Sequence, residues 1–167
     1  PGQQGGKAVA EVLFGDYNPA GKLPVTFYRN VSQLPDFEDY NMTGRTYRYM
    51  QDVPLFPFGY GLSYTTFGYG KTVLDKNELT AGQSLKLTVP VTNTGKCNGE
   101  EVVQVYLRKQ GDAEGPIKTL RAFKRVSIPA GKTVNVEFDL KDKELEWWDD
   151  QSNTVRVCPG NYDIMVG

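Results

Sequence analysis

The 167 residues are 39% hydrophobic and 23% charged, a balance that suits a globular chain with apolar side chains enough for one domain and a sizeable extra piece. Lysine and arginine total 19 against 20 acidic residues, so there is no long-range field to recruit nucleic acid or an anionic membrane, and neutral or weakly charged partners fit better. Histidine is absent, which removes the Ser-His-Asp triad and the usual imidazole metal ligands and leaves carboxylates as the groups for acid–base chemistry.

The opening PGQQGGKAVAEV lacks the charged and apolar regions of a signal peptide, and no later run approaches the ~20 apolar residues that span a bilayer. Neither a leader nor a membrane span is expected, and a start on Pro-Gly without methionine reads as a piece of something longer. In KAVAEVLFG, Ala8, Val9, Val12 and Leu13 make a helical stripe that Gly15 should end as a C-cap. So short a helix is marginal alone and needs a partner surface. Asn18-Pro19-Ala20-Gly21 is a turn signal, and LPVTFY at 23–28 follows as a short strand. The unit reads as the last helix and strand of a larger α/β layer.

Residues 29–66 show no sustained period and form a long connector, which in a compact protein is functional or bound against a neighbour. Phe37, Tyr40, Tyr47, Tyr49, Phe56, Phe58, Tyr60, Tyr64 and, just beyond, Phe67 argue for the bound state, because water penalises so much ring surface. Within PLFPFGYGLSYTTF, proline fixes the path and glycine permits its turns, so the stretch is expected to clamp what lies on either side.

From Phe67 the period changes to two. Leu85, Leu87, Val89 and Val91, then Val103, Val105 and Leu107, then Val134, Val136, Phe138 and Leu140 alternate inward, and TLRAFKRVSI and NYDIMVG add two more strands. TAGQ, NTGKCNG, PAGK and CPGN separate them. The fold class is mainly β, an antiparallel β-sandwich of the immunoglobulin or fibronectin type III kind, preceded by a helix–strand remnant and the aromatic connector.

Candidate chemistry is sparse. Asp36, Glu38 and Asp39 cluster in the connector, Glu100 and Glu101 open a strand and point to opposite faces, and Asp149 and Asp150 read as turn formers. No catalytic residue is assigned among them, and no substrate-binding residue is fixed. Trp147 and Trp148 could stack on a sugar, but a core anchor with one flanking ring is the preferred reading. Arg45 and Arg48 are expected to tie the connector to carboxylates or carbonyls of neighbouring domains. Cys97 and Cys158 form no CxxC pair, so no metal site is expected; one disulfide and two small buried or half-buried side chains both fit. The sequons at Asn30 and Asn41 are three-residue matches that carry no argument.

PGQQGGKAVAEVLFGDYNPAGKLPVTF, GRTYRYM, PLFPFGYGLSYTTF, VTNTGKCNGEEVVQVYL and PGNYDIMVG, in that order, resemble the C-terminal portion of glycoside hydrolase family 3 enzymes over essentially the whole chain. The resemblance implies a division into 1–30 (end of an α/β sandwich domain), 31–66 (connector) and 67–167 (fibronectin type III-like domain). It implies a retaining β-glycosidase whose aspartate nucleophile and glutamate acid/base lie on upstream (β/α)8 and α/β domains, acting on an oligosaccharide without a cofactor. GRTYRYM resembles the xylosidase-type members more than the glucosidase-type ones. Such enzymes are commonly exported, periplasmic or secreted. A further strand generally follows the one matching NYDIMVG; its absence would leave an open sheet edge and favour a homodimer or lower stability.

Overall fold

The computed structural model describes residues 2–167; Pro1, the first residue of the opening motif, lies outside the described residues. The chain begins with α1 (Gly5–Phe14), which Gly15 closes in the left-handed conformation at φ 81°, a geometry that side chains resist. No residue of α1 is buried, and Leu13 and Phe14 are 74% and 84% exposed. The apolar stripe therefore forms as the spacing predicts but meets no partner surface among the described residues.

The strand expected at 23–28 does not form. Phe27 makes one isolated antiparallel bridge with Phe56, and Leu23 exchanges hydrogen bonds with Tyr60 and Gly59. Pro24 has no N–H to donate, and the facing segment turns at once through Pro57, whose carbonyl accepts the Tyr60 N–H at 3.1 Å. Pairing cannot propagate across two such interruptions. The turn expected at 18–21 does not form either, and Ala20 there is buried. Segment 29–66 is irregular as expected, apart from a 3-10 turn at Val31–Gln33 and one helical turn, α2 (Thr46–Tyr49).

The strands follow: β1 (Phe67–Tyr69), β2 (Val73–Leu74), β3 (Leu85–Asn93), β4 (Gly99–Lys109), β5 (Thr119–Ile128) and β6 (Thr133–Leu140). Then come a short helix, α3 (Asp142–Leu145), and β7 (Trp147–Asp149), β8 (Thr154–Arg156) and β9 (Tyr162–Val166). One sheet is centred on β3, flanked by β1 and β2 on one side and β6 on the other; the second has the order β5-β4-β9; β7 and β8 form a separate hairpin. Every pairing is antiparallel. The two inner faces meet in a core of Leu85, Leu87, Val89, Val91, Val103, Val105, Ile128, Val136, Phe138 and Leu140, which is the alternation read from the sequence.

β4 departs from simple alternation. Besides Val103, Val105 and Leu107, its opposite face buries Gln104 and Tyr106, and the register with β5 shifts between Val105 and Tyr106. A sheet face that would ordinarily meet water is covered here by segment 31–66. Cys97 is exposed and Cys158 buried, and both are free thiols. Among the described residues no helix is long and apolar enough to cross a membrane.

Candidate functional site: the seam between connector and sandwich

The polar groups that the sandwich does not use for itself converge along one seam. Glu101 shares the inward parity of Val103 and Val105, and its side chain is nearly buried. A carboxylate there must be paired. The Lys22 ammonium lies 3.0 Å from Oε1, and the Tyr69 hydroxyl donates to the same oxygen at 2.8 Å. Burial first, then the adjacent Glu101 carboxylate, push the Tyr69 phenol far above its ordinary pKa. Lys22 belongs to the N-terminal segment, Tyr69 to β1 and Glu101 to β4, so one oxygen ties three parts of the chain.

Asn18 and Asn93 do the same with amides. The Asn18 side chain donates to the Asn98 carbonyl at 3.0 Å and accepts from Ser63 Oγ at 3.0 Å and the Tyr64 N–H at 2.8 Å. Tyr64 continues the tie by donating its hydroxyl to the Val12 carbonyl in α1. Fully buried Asn93 donates to the carbonyls of Cys97 and Ile128 and accepts from Thr65 Oγ1 at 2.6 Å. Gly61 lets the backbones close up: a Cβ there would stand 2.4 Å from the Gly21 carbonyl oxygen. Lys22, Gly61, Ser63, Tyr69, Glu100 and Glu101 line a cleft of about 220 Å³.

Aromatic packing completes the seam on the far face of β4. Tyr47 stacks on Phe58 with centroids 4.1 Å apart, and both present an edge to Tyr106 at 6.1 and 6.5 Å. The Tyr106 hydroxyl donates to Gln104 at 2.6 Å, and burial pushes its pKa up to about 12. Gly59, at φ 82°, lies against this pair; a Cβ would come within 2.9 Å of Gln104 Oε1. Within PLFPFGYGLSY, Phe58 makes the ring contacts, whereas Phe56, Tyr60 and Tyr64 are 40%, 38% and 51% exposed, so the expected clamp rests on one ring of the stretch. Phe37 and Tyr40 are 93% and 88% exposed and touch none of it.

The candidate carboxylates separate. Glu100 pairs with Arg125 while Glu101 pairs with Lys22; both residues line the cleft, each held in its own ion pair. Asp36 and Asp39 accept backbone N–H groups of Glu38 and Asn41, the habit of turn formers. Hydrogen bonds from Ser152 and then Arg156 hold the Asp149 carboxyl below its usual range. Trp147 is 5% exposed and donates to Asp112 at 2.9 Å, whereas Trp148 is 50% exposed and bonds Asp150. This is the anchor-and-flank arrangement, and it removes the two-ring platform. Arg45 donates to the Asp39 carbonyl within the connector itself.

Sequence reasoning did not single out Asn18, Lys22, Asn93 or Gln104. Glu101 was weighed only as half of an acid pair, although a charged residue at the inward parity of a valine strand signals a buried counterion.

Residues 1–64 match the family model described as the glycosyl hydrolase family 3 C-terminal domain, and residues 101–167 match the fibronectin type III-like domain model. The first match takes in Lys22 and the second Glu101, the two partners of the buried ion pair. The chain belongs to glycoside hydrolase family 3. A family 3 relative named xylan 1,4-beta-xylosidase, from Xylanibacter ruminicola, is 56% identical over 100% of this chain and 19% of its own length. The periplasmic beta-glucosidase of Salmonella typhimurium is 37% identical over 99% of the chain and 23% of its own length. Among solved structures, beta-glucosidase D2-BGL from Chaetomella raphigera superposes with a TM-score of 0.86 at 33% identity, over 99% of this chain and 27% of its own. The family 3 region in hand thus spans about a fifth to a quarter of the length of the relatives it matches.

Proposed function

We propose that the chain is the non-catalytic C-terminal part of an exo-acting retaining β-glycosidase that removes terminal β-linked xylose or glucose from oligosaccharides, and that it stabilises and orients the catalytic domains. In this reading residues 1–30 close an α/β domain, 31–66 run across the seam, and 67–167 form the terminal unit. The observation that carries it is the three-way tie at Glu101, which fastens the N-terminal segment to the sandwich through a buried ion pair with Lys22. The exposed stripe of α1 supplies the complementary surface toward upstream domains. Identity to a protein named xylan 1,4-beta-xylosidase supports xylosides as the preferred substrate, and a periplasmic relative supports export.

Nitrophenyl β-xyloside and β-glucoside, offered side by side to the full-length protein and to residues 1–167 alone, test the assignment. Hydrolysis by the full-length protein alone is expected; turnover by residues 1–167, or by neither, overturns it. A stand-alone carbohydrate-binding module is not favoured, because burial of Trp147 leaves one ring where a platform needs two. A homodimer is the remaining part of the reading. β9 pairs with β4 on one side and with no strand on the other among the described residues, and such an edge accepts a second strand. Sedimentation of the full-length protein as a monomer at high concentration would remove that part.

A further inference from the structure

The turn carrying α2 and the segment entering β5 gather three cations. The Ile117 N–H donates to the Arg48 carbonyl at 2.6 Å and the Leu120 N–H to the Tyr47 hydroxyl at 3.0 Å, which pins the two segments side by side. Lys118 Nζ stands 4.5 Å from the centroid of Tyr106, Arg48 Cζ 6.0 Å from that of Tyr47, and Arg121 Cζ 5.2 Å from that of Trp147. Among the described residues none of the three has a carboxylate within ion-pair distance. Arg121 donates to the Glu146 carbonyl at 2.6 Å but leaves its buried Nε without an acceptor. Arg45, at the start of the same turn, also buries an unpartnered Nε. Burial, and then the like charge of Arg48, lower the Arg121 pKa. Thr46 holds φ at 55°, a conformation that a β-branched residue keeps only where its surroundings over-determine it.

Like charges held together without a counterion are costly, and a carboxylate bonded to their free N–H groups relieves that cost. We propose that Arg48, Lys118 and Arg121 form a socket for a carboxylate on an acidic segment of the longer polypeptide, locking the seam at a second point. The inference rests on the chain's being the supporting end of a larger enzyme, whose relatives are about four to five times its length. Acidic protein fits better than acidic sugar. Tyr106 is buried and Tyr47 and Phe58 face each other, so these rings offer no free face for a pyranose, whereas a carboxylate needs only N–H donors.

Zero-length carbodiimide coupling of the full-length protein, followed by peptide mass spectrometry, tests the socket through the Lys118 amine. The expected product is an amide between Lys118 and an aspartate or glutamate outside residues 1–167, absent in Lys118→Arg and at least tenfold weaker in Arg48→Ala. A Lys118 link confined to Asp112, Glu114 or Glu146, or no link, overturns the proposal. Glucuronic acid binding to the full-length protein that is lost in Lys118→Ala, with no outside link, assigns the socket to an acidic sugar and also overturns it. Glycoside hydrolysis by the same preparation is read separately: activity without the outside link sinks the socket alone, and the link without activity sinks the catalytic reading alone.

Discussion

Glu101 shows how much a single side chain can decide. Its carboxylate is nearly buried beside Lys22 and under the Tyr69 hydroxyl, so Glu101→Gln keeps the volume and one hydrogen bond but strands the ammonium. Because Lys22 is 22% exposed and water can partly rescue it, a loss of roughly 2 kcal/mol is expected, below the cost of breaking a fully buried pair. Urea denaturation of residues 1–167 measures it. The tyrosines make a second test. Tyr106 and Tyr162 are pushed up to about 12 by burial, and Tyr69 still higher. A raised folded pKa means that the unfolded chain, ionising near 10, releases protons first. The contribution is therefore whole below pH 10 and is lost as pH rises through the folded values. Tyrosinate absorbance should show these three ionising only with alkaline unfolding. A single wave near 10 in the folded protein would contradict it.

Among the elements, β3 and β6 were legible because each faces one core: the alternation of Leu85 to Val91 and of Val134 to Leu140 maps onto their register pairs. Leu87→Ala, at a fully buried site, should cost about 3 kcal/mol in the same denaturation experiment. The segment at 23–28 was misread because β-propensity says nothing of whether a partner edge exists, and Pro24 together with the turn at Pro57 denies it one. The second buried face of β4 was illegible for another reason. Gln104 and Tyr106 look like outward residues until a stretch some fifty positions earlier is laid over them, and no local pattern encodes that meeting. Gly61 belongs to the same long-range class: Gly61→Ala sets a methyl against the Gly21 carbonyl oxygen, backbone against backbone. A loss of about 1–3 kcal/mol is expected, with faster proteolysis at the connector as its signature.

Across the whole molecule, the exposed stripe of α1 and the buried seam give opposite expectations for two substitutions. Leu13→Asp should change the stability of residues 1–167 by less than about 0.5 kcal/mol, since Leu13 faces water there, yet lower the Tm of the full-length protein by several degrees. Equal effects in both would mean that the helix face meets nothing upstream. The seam itself should keep the terminal unit from swinging, so scattering from the full-length protein is expected to fit one rigid envelope. The double burial of β4 also bears on how such proteins can change over generations. A sandwich borrowed from an unrelated source brings a wet outer surface, and the ring-bearing stretch would find no seat on it. Recombination at this point must exchange the stretch and the strand beneath it together, so the terminal unit is inherited with its tether and does not shuffle as a free-standing cassette.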